Sequence, residues 1–382
     1  MAERDPIHRP SRRQTAPLPL PPQTALVLQG GGALGSFQAG VFEALADAAI
    51  EPNWLAGISI GAINGAIIAG NPVGSRARML RNFWEKLTGG LPSFPVWPDD
   101  LIREAVHEWS AGFVALNGVP GFFAPRPIPP AFAPPGSREA LSFYDSSPLE
   151  STLDDHVDWD LLNNGDVRLS VGAVNVESGN FRYFDTAKER LDVRHIMASG
   201  ALPPGLPPVE IDDCLWWDGG LVSNTPLQYV MEQQEEDMLV FQVDLFSAAD
   251  ARPHTIADVW AREKEIRFSS RTRQVTTSFL ERRREAEAIR KVLAKLPPEL
   301  KDDKDVQALA AYAAEKAVNI VHLIYRSNAW EGGSRDYEFS RRTMDEHWEA
   351  GSKAITETIR HGEVLARNIA DGKTAAFDLT PR

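Results

Sequence analysis

The chain of 382 residues holds one cysteine, Cys214, and that scarcity removes two kinds of architecture. No disulfide can close within it, and no multi-cysteine metal centre can form. Cys214 lies in Asp-Asp-Cys-Leu-Trp-Trp, where two adjacent carboxylates disfavour a thiolate, so it reads as a small strand residue rather than a nucleophile. A lone thiol fits a reducing compartment, and the expected location is cytoplasmic. The sequence also lacks any uninterrupted apolar stretch of about 18 residues, so no membrane-spanning helix is expected. Its first residues, MAERDPIHRPSRRQTAPLPLPPQ, contain no apolar run of about 7–15 residues and are broken by proline, unlike a secretory signal. Residues 1–22 read as a flexible, proline-rich tail. Positive charge is in deficit: 40 Lys and Arg against 53 Asp and Glu leave a net −13. Nucleic acid is therefore not an expected partner, because phosphate binding needs clustered cations.

Hydrophobic residues make up 43 %, enough for a large core, and strand and helix patterns alternate through the first two thirds of the chain. Thr24–Gln29 (TALVLQ) is a buried-strand run ending in glycines, followed by helical spacing from Gly35 to Ala49. Trp54–Ile58 is a second strand and Ile60–Ala69 a second helix. Strand–turn–helix twice in succession predicts an α/β fold with a mostly parallel, helix-covered sheet. Further strands are expected at Val167–Val176, Phe181–Phe184, Leu215–Trp217 and Met238–Leu245. The alternating unit thus spans 23–250. Within it, residues 91–145 carry ten prolines and nine aromatics, with one helix expected over 101–116. Insertions of this length are usually functional or disordered, and this one suits a lid or acyl channel. Residues 251–382 read as a mainly helical extension, with Asn319–Tyr325 as one strand. Its segment 260–295 holds eleven Lys and Arg against five Glu. A solvated helix face explains that excess; peripheral contact with anionic headgroups is the functional reading.

Two glycine-rich turns concentrate the chemistry. In Gly57-Ile58-Ser59-Ile60-Gly61, a serine stands between a strand and a small-residue helix with glycine two places away on each side. A turn that sharp excludes bulky neighbours and lifts the serine oxygen to a helix N-terminus, which is the nucleophile elbow. The second turn, Gly30-Gly31-Gly32, also precedes a helix. Its backbone N–H groups suit an oxyanion, since glycine permits positive φ and close approach. The amides of Gly31, Gly32 and the residue after Ser59 are the expected donors. A serine hydroxyl needs a base. None of the eight histidines sits in a distinctive turn, whereas Asp218-Gly219-Gly220 is a sharp acidic turn after a tryptophan-rich strand. Burial or fixed hydrogen bonds would make such a carboxylate basic enough to accept the Ser59 proton.

With these turns in this order, the chain resembles the patatin-like phospholipases over about residues 23–245, and in its C-terminal extension it resembles some bacterial members. The resemblance implies a three-layer α/β/α core, a Ser59–Asp218 catalytic dyad without histidine, an oxyanion loop at Gly30–Gly32, and no cofactor or metal. Ala198-Ser199-Gly200-Ala201-Leu202-Pro203, Asn224 and Pro226 resemble the family's flanking residues. Leu34 departs from it, standing where members often carry a basic residue. The expected substrate is a lipid or another acyl ester, phospholipid and hydroxyalkanoate polyester included. Three other readings compete. Gly30-x-Gly32-x-x-Gly35 with Glu51 fits a dinucleotide fingerprint, although Glu51 precedes the second strand instead of ending it. An ordinary α/β-hydrolase triad would add His254 or His322 to Ser59 and Asp218. A non-catalytic module would keep the fold for lipid or protein contact.

Overall fold

A computed structural model describes residues 18–90, 100–248, 252–314 and 316–380. Most of the expected tail (1–17) and the start of the insertion (91–99) lie outside the described residues. β1 (Gln23–Leu28) passes through the first glycine turn into α1 (Gly35–Asp47), and β2 (Trp54–Gly57) through the second into α2 (Ile60–Ala69). After α3 (Arg76–Thr88), the insertion forms α4 (Asp100–Asn117) and the short pair β3 (Ala124–Pro125) and β4 (Tyr144–Asp145). Helices α5 (Ser147–His156) and α6 (Trp159–Asn164) lead back to β5 (Arg168–Asn175) and β6 (Phe181–Asp185). Then come α7 (Val193–Ser199), β7 (Val209–Ile211), β8 (Cys214–Asp218), α8 (Leu227–Glu232) and β9 (Met238–Asp244). The C-terminal third forms α9 (Ile256–Leu293), α10 (Lys304–Ala313), β10 (Val318–Ile324), α11 (Arg341–Arg360), α12 (Glu363–Ala370) and β11 (Ala375–Phe377).

The central sheet runs β11-β10-β9-β1-β2-β5, and every neighbouring pair in that run is parallel. Side-chain alternation divides it into two cores, because successive residues of a strand face opposite sides. Leu26, Leu28, Leu55, Phe241 and Leu323 face the layer that holds α1, α2, α3 and α11. Ala25, Val27, Ala56, Val240 and Ile320 face α8, with Val275 and Phe279 of α9 packed alongside. Strands buried on both faces explain the continuous apolar runs in the sequence. The result is the expected three-layer α/β/α architecture.

The antiparallel part of the sheet positions the site. β6 occupies one edge of β5 over residues 170–174. β2 pairs with β5 up to Gly57↔Val171, and β8 pairs with it from Asn175↔Trp216 to Ala173↔Asp218. Both must therefore use the remaining edge, where their C-terminal ends converge head to head. Ser59 and Asp218 are brought together by this register.

The C-terminal third shares the core. β10 and β11 extend the sheet, and α11 lies against α1 at backbone distance: a Cβ on Gly40 would overlap the Trp348 carbonyl, and one on Gly351 the Phe37 carbonyl. Some boundaries differ from the sequence reading. In the mainly helical extension, helix breaks at His361-Gly362 between α11 and α12. Ile289, Val292 and Leu293 in the last turns of α9, and Leu296 just beyond it, stand at helical spacing yet are only half buried, with Val292 59 % exposed. Within the expected tail, Leu18 is buried and Pro22 accepts a hydrogen bond from Asn53.

Candidate active site

Ser59 caps α2 with φ 55° and ψ −123°. A β-carbon-bearing residue held there costs on the order of 1–3 kcal/mol. Its neighbours show why the turn persists: a Cβ on Gly57 would overlap the Gly61 carbonyl, and a Cβ on Gly61 would overlap that of Leu28. Glycine at both places lets strand, turn and helix approach this closely. The Ser59 N–H is already taken, donating to both the carbonyl and the hydroxyl of Ser199 at 3.1 Å. Among the described residues, the next amide, Ile60 at the helix start, has no acceptor.

The Ser59 hydroxyl lies near the Asp218 carboxylate, close enough to favour its charged form, and both residues line one cavity. Asp218 is 2 % exposed and accepts a hydrogen bond from the Gly220 N–H at 2.7 Å. Burial disfavours the charged form and pushes its pKa up to about 7, against the opposing pull of the Gly220 N–H and the nearby Ser59 hydroxyl. Gly219 is required by packing, since a Cβ there would press on the Gly172 carbonyl at 2.6 Å.

The three loop glycines differ in what they do. The Gly30 N–H donates to the Asn224 carbonyl at 3.2 Å, and the Asn224 side chain donates back to the Gly30 carbonyl at 2.9 Å. Gly30 is therefore pinned and offers no N–H to a ligand, unlike the sequence expectation for the triplet. Among the described residues, the N–H groups of Gly31, Gly32 and Ile60 have no acceptor, as befits the first residues of helical turns. Leu34, the departure from the family's basic residue, is fully buried.

These groups border a cavity of about 170 Å³. Its apolar wall draws on three regions: Phe122, Phe123 and Tyr144 of the insertion, Leu202 and Leu206 before β7, and Phe246, Phe268, Tyr337 and Phe339. The contribution of residues 336–339 carried no motif and was not expected. The insertion is partly core and partly surface. Phe122 and Phe123 are buried, while Ile128, Phe132, Leu141 and Phe143 stand exposed on the loop that hydrogen-bonds Pro204 and Gly205 at the cavity wall.

The competing readings meet obstacles here. Glu51 precedes β2, at the opposite end of the strands from the glycine loop, and pairs with Arg76 at 2.8 Å. His254 is exposed before α9, and His322 lies on β10 beside Asp244 at 3.5 Å; neither borders the cavity. Among the described residues no cluster of His, Cys, Asp and Glu is arranged to hold a metal, and no helix is long and apolar enough to cross a membrane. In α9, Arg262, Lys264, Arg267 and Lys291 are all ion-paired within the protein.

Residues 26–231 match the family model of patatin-like phospholipase, and residues 266–371 match a second model described as patatin phospholipase. The chain belongs to the patatin-like phospholipase family, whose activity class is lipid hydrolysis. No curated protein matches it. Among solved structures it is similar to VipD from Legionella pneumophila, at 13 % identity over 92 % of this chain and 77 % of that one, with a TM-score of 0.35. It is also similar to a chain of the heterodimeric ExoU–SpcU complex from the type III secretion system of Pseudomonas aeruginosa, at 14 % identity over 92 % of this chain and 78 % of that one, with a TM-score of 0.28.

Proposed function

We propose that this protein is a serine acyl hydrolase that cleaves carboxylic esters of lipids through Ser59 and Asp218. The observation that carries the reading is that Ser59 and buried Asp218 line one apolar cavity close to each other, beside three N–H groups with no acceptor among the described residues. Ser59 Oγ attacks the ester carbonyl and passes its proton to Asp218. The tetrahedral oxyanion is held by the N–H groups of Gly31, Gly32 and Ile60. Asp218 returns the proton to the departing alcohol, then deprotonates water that attacks the acyl-serine, and passes that proton to Ser59 Oγ as the acid leaves.

The elevated Asp218 pKa makes the carboxylate a stronger base than an exposed one, which answers the low basicity of an aspartate. The cavity is close in size to apolar cavities of roughly 150 Å³ that hold benzene. It encloses about six carbons of an acyl chain. A longer chain continues over the exposed Ile128, Phe132, Leu141 and Phe143, which face solvent beside the mouth. Such a patch, with aromatic side chains, suits the surface of a lipid aggregate.

The test is a turnover screen of purified protein against p-nitrophenyl esters, phospholipids, lysophospholipids and hydroxyalkanoate oligomers, with Ser59→Ala as the blank. Lipid-ester hydrolysis that vanishes in the blank is the expected result. Equal rates in both proteins would leave a non-catalytic module of the same fold.

A further inference from the structure

A segment more than 270 residues further along the chain closes over the glycine loop. The Ala33 N–H donates to the Asp336 carbonyl at 2.9 Å. Gly32, at φ +54°, lies so close that a Cβ would overlap the same carbonyl oxygen. The strap at residues 333–340 is held from three sides. On α9, Lys264 pairs with the Asp336 carboxylate and donates to the Gly333 carbonyl at 2.8 Å. One residue on, buried Glu265 pairs with buried Arg335, and Arg262 joins Glu265 at 3.0 Å. On α4, Ser110 donates to buried Glu338 at 2.5 Å. On the core side, Phe339 stacks on Trp84, whose indole N–H donates to Asn64 behind the elbow at 3.1 Å.

A run of three glycines has the greatest backbone freedom available, yet oxyanion donors must be held within about 0.5 Å of their working positions. A displacement of about 1 Å in such a site costs roughly a hundredfold in rate. Asn224 fixes the loop at Gly30, but Gly31 and Gly32 have no acceptor of their own among the described residues, so the next fixed point is Ala33 on Asp336. We propose that the 333–340 strap is the restraint that sets the oxyanion loop, with Lys264 as its positioning residue, so that the C-terminal third of the chain completes the active site. The inference rests on the reading of Gly31 and Gly32 as oxyanion donors. It gives the otherwise motif-free extension a function at the site, where it holds the loop through Asp336 and walls the acyl cavity with Tyr337 and Phe339.

The experiment compares wild type, Lys264→Met, Lys264→Arg and Ser59→Ala by hydrogen-exchange mass spectrometry and by p-nitrophenyl butyrate turnover. Lys264→Met is expected to speed exchange in the peptide spanning residues 29–36 about tenfold, with β9 and β10 unchanged. Its kcat falls about tenfold or more while KM stays within about twofold, and Lys264→Arg restores both readouts to within about threefold. Unchanged loop exchange in Lys264→Met overturns the strap as a restraint, whatever the activity. Faster loop exchange with unchanged kcat overturns its catalytic consequence. Faster exchange throughout the sheet, or no recovery in Lys264→Arg, reduces Lys264 to a general stability residue and overturns the proposal. Wild-type turnover no greater than that of Ser59→Ala overturns the hydrolase reading and the positioning role with it. The exchange response does not depend on any substrate and distinguishes this failure from the others.

Discussion

The cavity has two sides built by opposite means. At residues 30–32, 57–61 and 218–220, backbone approaches backbone so closely that a single β-carbon would collide with a carbonyl or a neighbouring side chain. At residues 333–340, ion pairs and hydrogen bonds from α9 and α4 hold an irregular segment in place. The first side carries the proposed nucleophile, its proposed base and the N–H groups; the second carries the wall and the clamp. The proposed chemistry, which needs fixed geometry, sits on glycine turns locked by the sheet, where substitution is costly. The parts that shape access sit on side chains, where graded changes are available.

Breaking the first side should have the largest effect. Ser59→Ala and Asp218→Asn are each expected to lower ester turnover by about 10³-fold or more with the circular dichroism spectrum unchanged. Turnover within tenfold of wild type in either would remove the dyad. Gly32→Ala tests the seam between the two sides. It adds left-handed strain of about 1–2 kcal/mol and pushes on the Asp336 carbonyl. The expected outcome is a kcat loss of about a hundredfold with a lowered thermal midpoint. Wild-type kinetics there would show that the strap does not press on the loop.

A third, smaller effect concerns pH. Asp218 must be ionised to accept a proton, and burial holds its pKa up at about 7. The kcat/KM for a neutral ester should therefore rise with pH up to and through about 7. An acidic limb near the ordinary carboxylate value would contradict the burial argument. Stability should move the other way. A carboxyl with a raised folded pKa binds more protons folded than unfolded between its unfolded value near 4 and about 7. Its contribution is full below that window and is lost as pH rises through it. The thermal midpoint of wild type relative to Asp218→Asn should fall from pH 4 to pH 7.5, and a constant difference would argue against it. The smallest effect belongs to the surface loop. Phe132→Ser with Phe143→Ser should lower hydrolysis of vesicle lipid several-fold while leaving p-nitrophenyl butyrate turnover within about twofold. Equal losses on both substrates would place these rings in folding instead of lipid contact.

What is legible in the sequence follows the same division. Ser59, Asp218 and the glycine turns are local patterns: Gly57, Gly61 and Gly219 are dictated by contacts within their own turn or with one adjacent strand, so spacing alone exposes them, whereas the contacts that require Gly30 and Gly32 come from Asn224 and Asp336, far along the chain. The meeting of β2 and β8 on one edge of β5 is not legible, because it depends on β6 filling the other edge. Asp336 acts through its carbonyl oxygen, and a carbonyl leaves no signature in side-chain identity. Lys264 sits in a charge run whose commonest meaning is a solvated face; its inward pairing with Asp336 is visible only in three dimensions. β11 is a three-residue edge strand, Ala375–Phe377, too short for any alternation to register. Gly30 belongs to the oxyanion loop on sequence grounds, but sequence cannot show that Asn224 takes its N–H.

Activation of Ser59 by a carboxylate, with no histidine, is tested most directly by the rate at which a fluorophosphonate probe attaches, located by mass spectrometry of the intact protein and its peptides. One adduct is expected, on Ser59 of the wild type, forming at least about a hundredfold more slowly in Asp218→Asn and at the wild-type rate in His254→Ala and His322→Ala. An adduct elsewhere, no adduct at all, or a rate that falls with either histidine and not with Asp218 would contradict it.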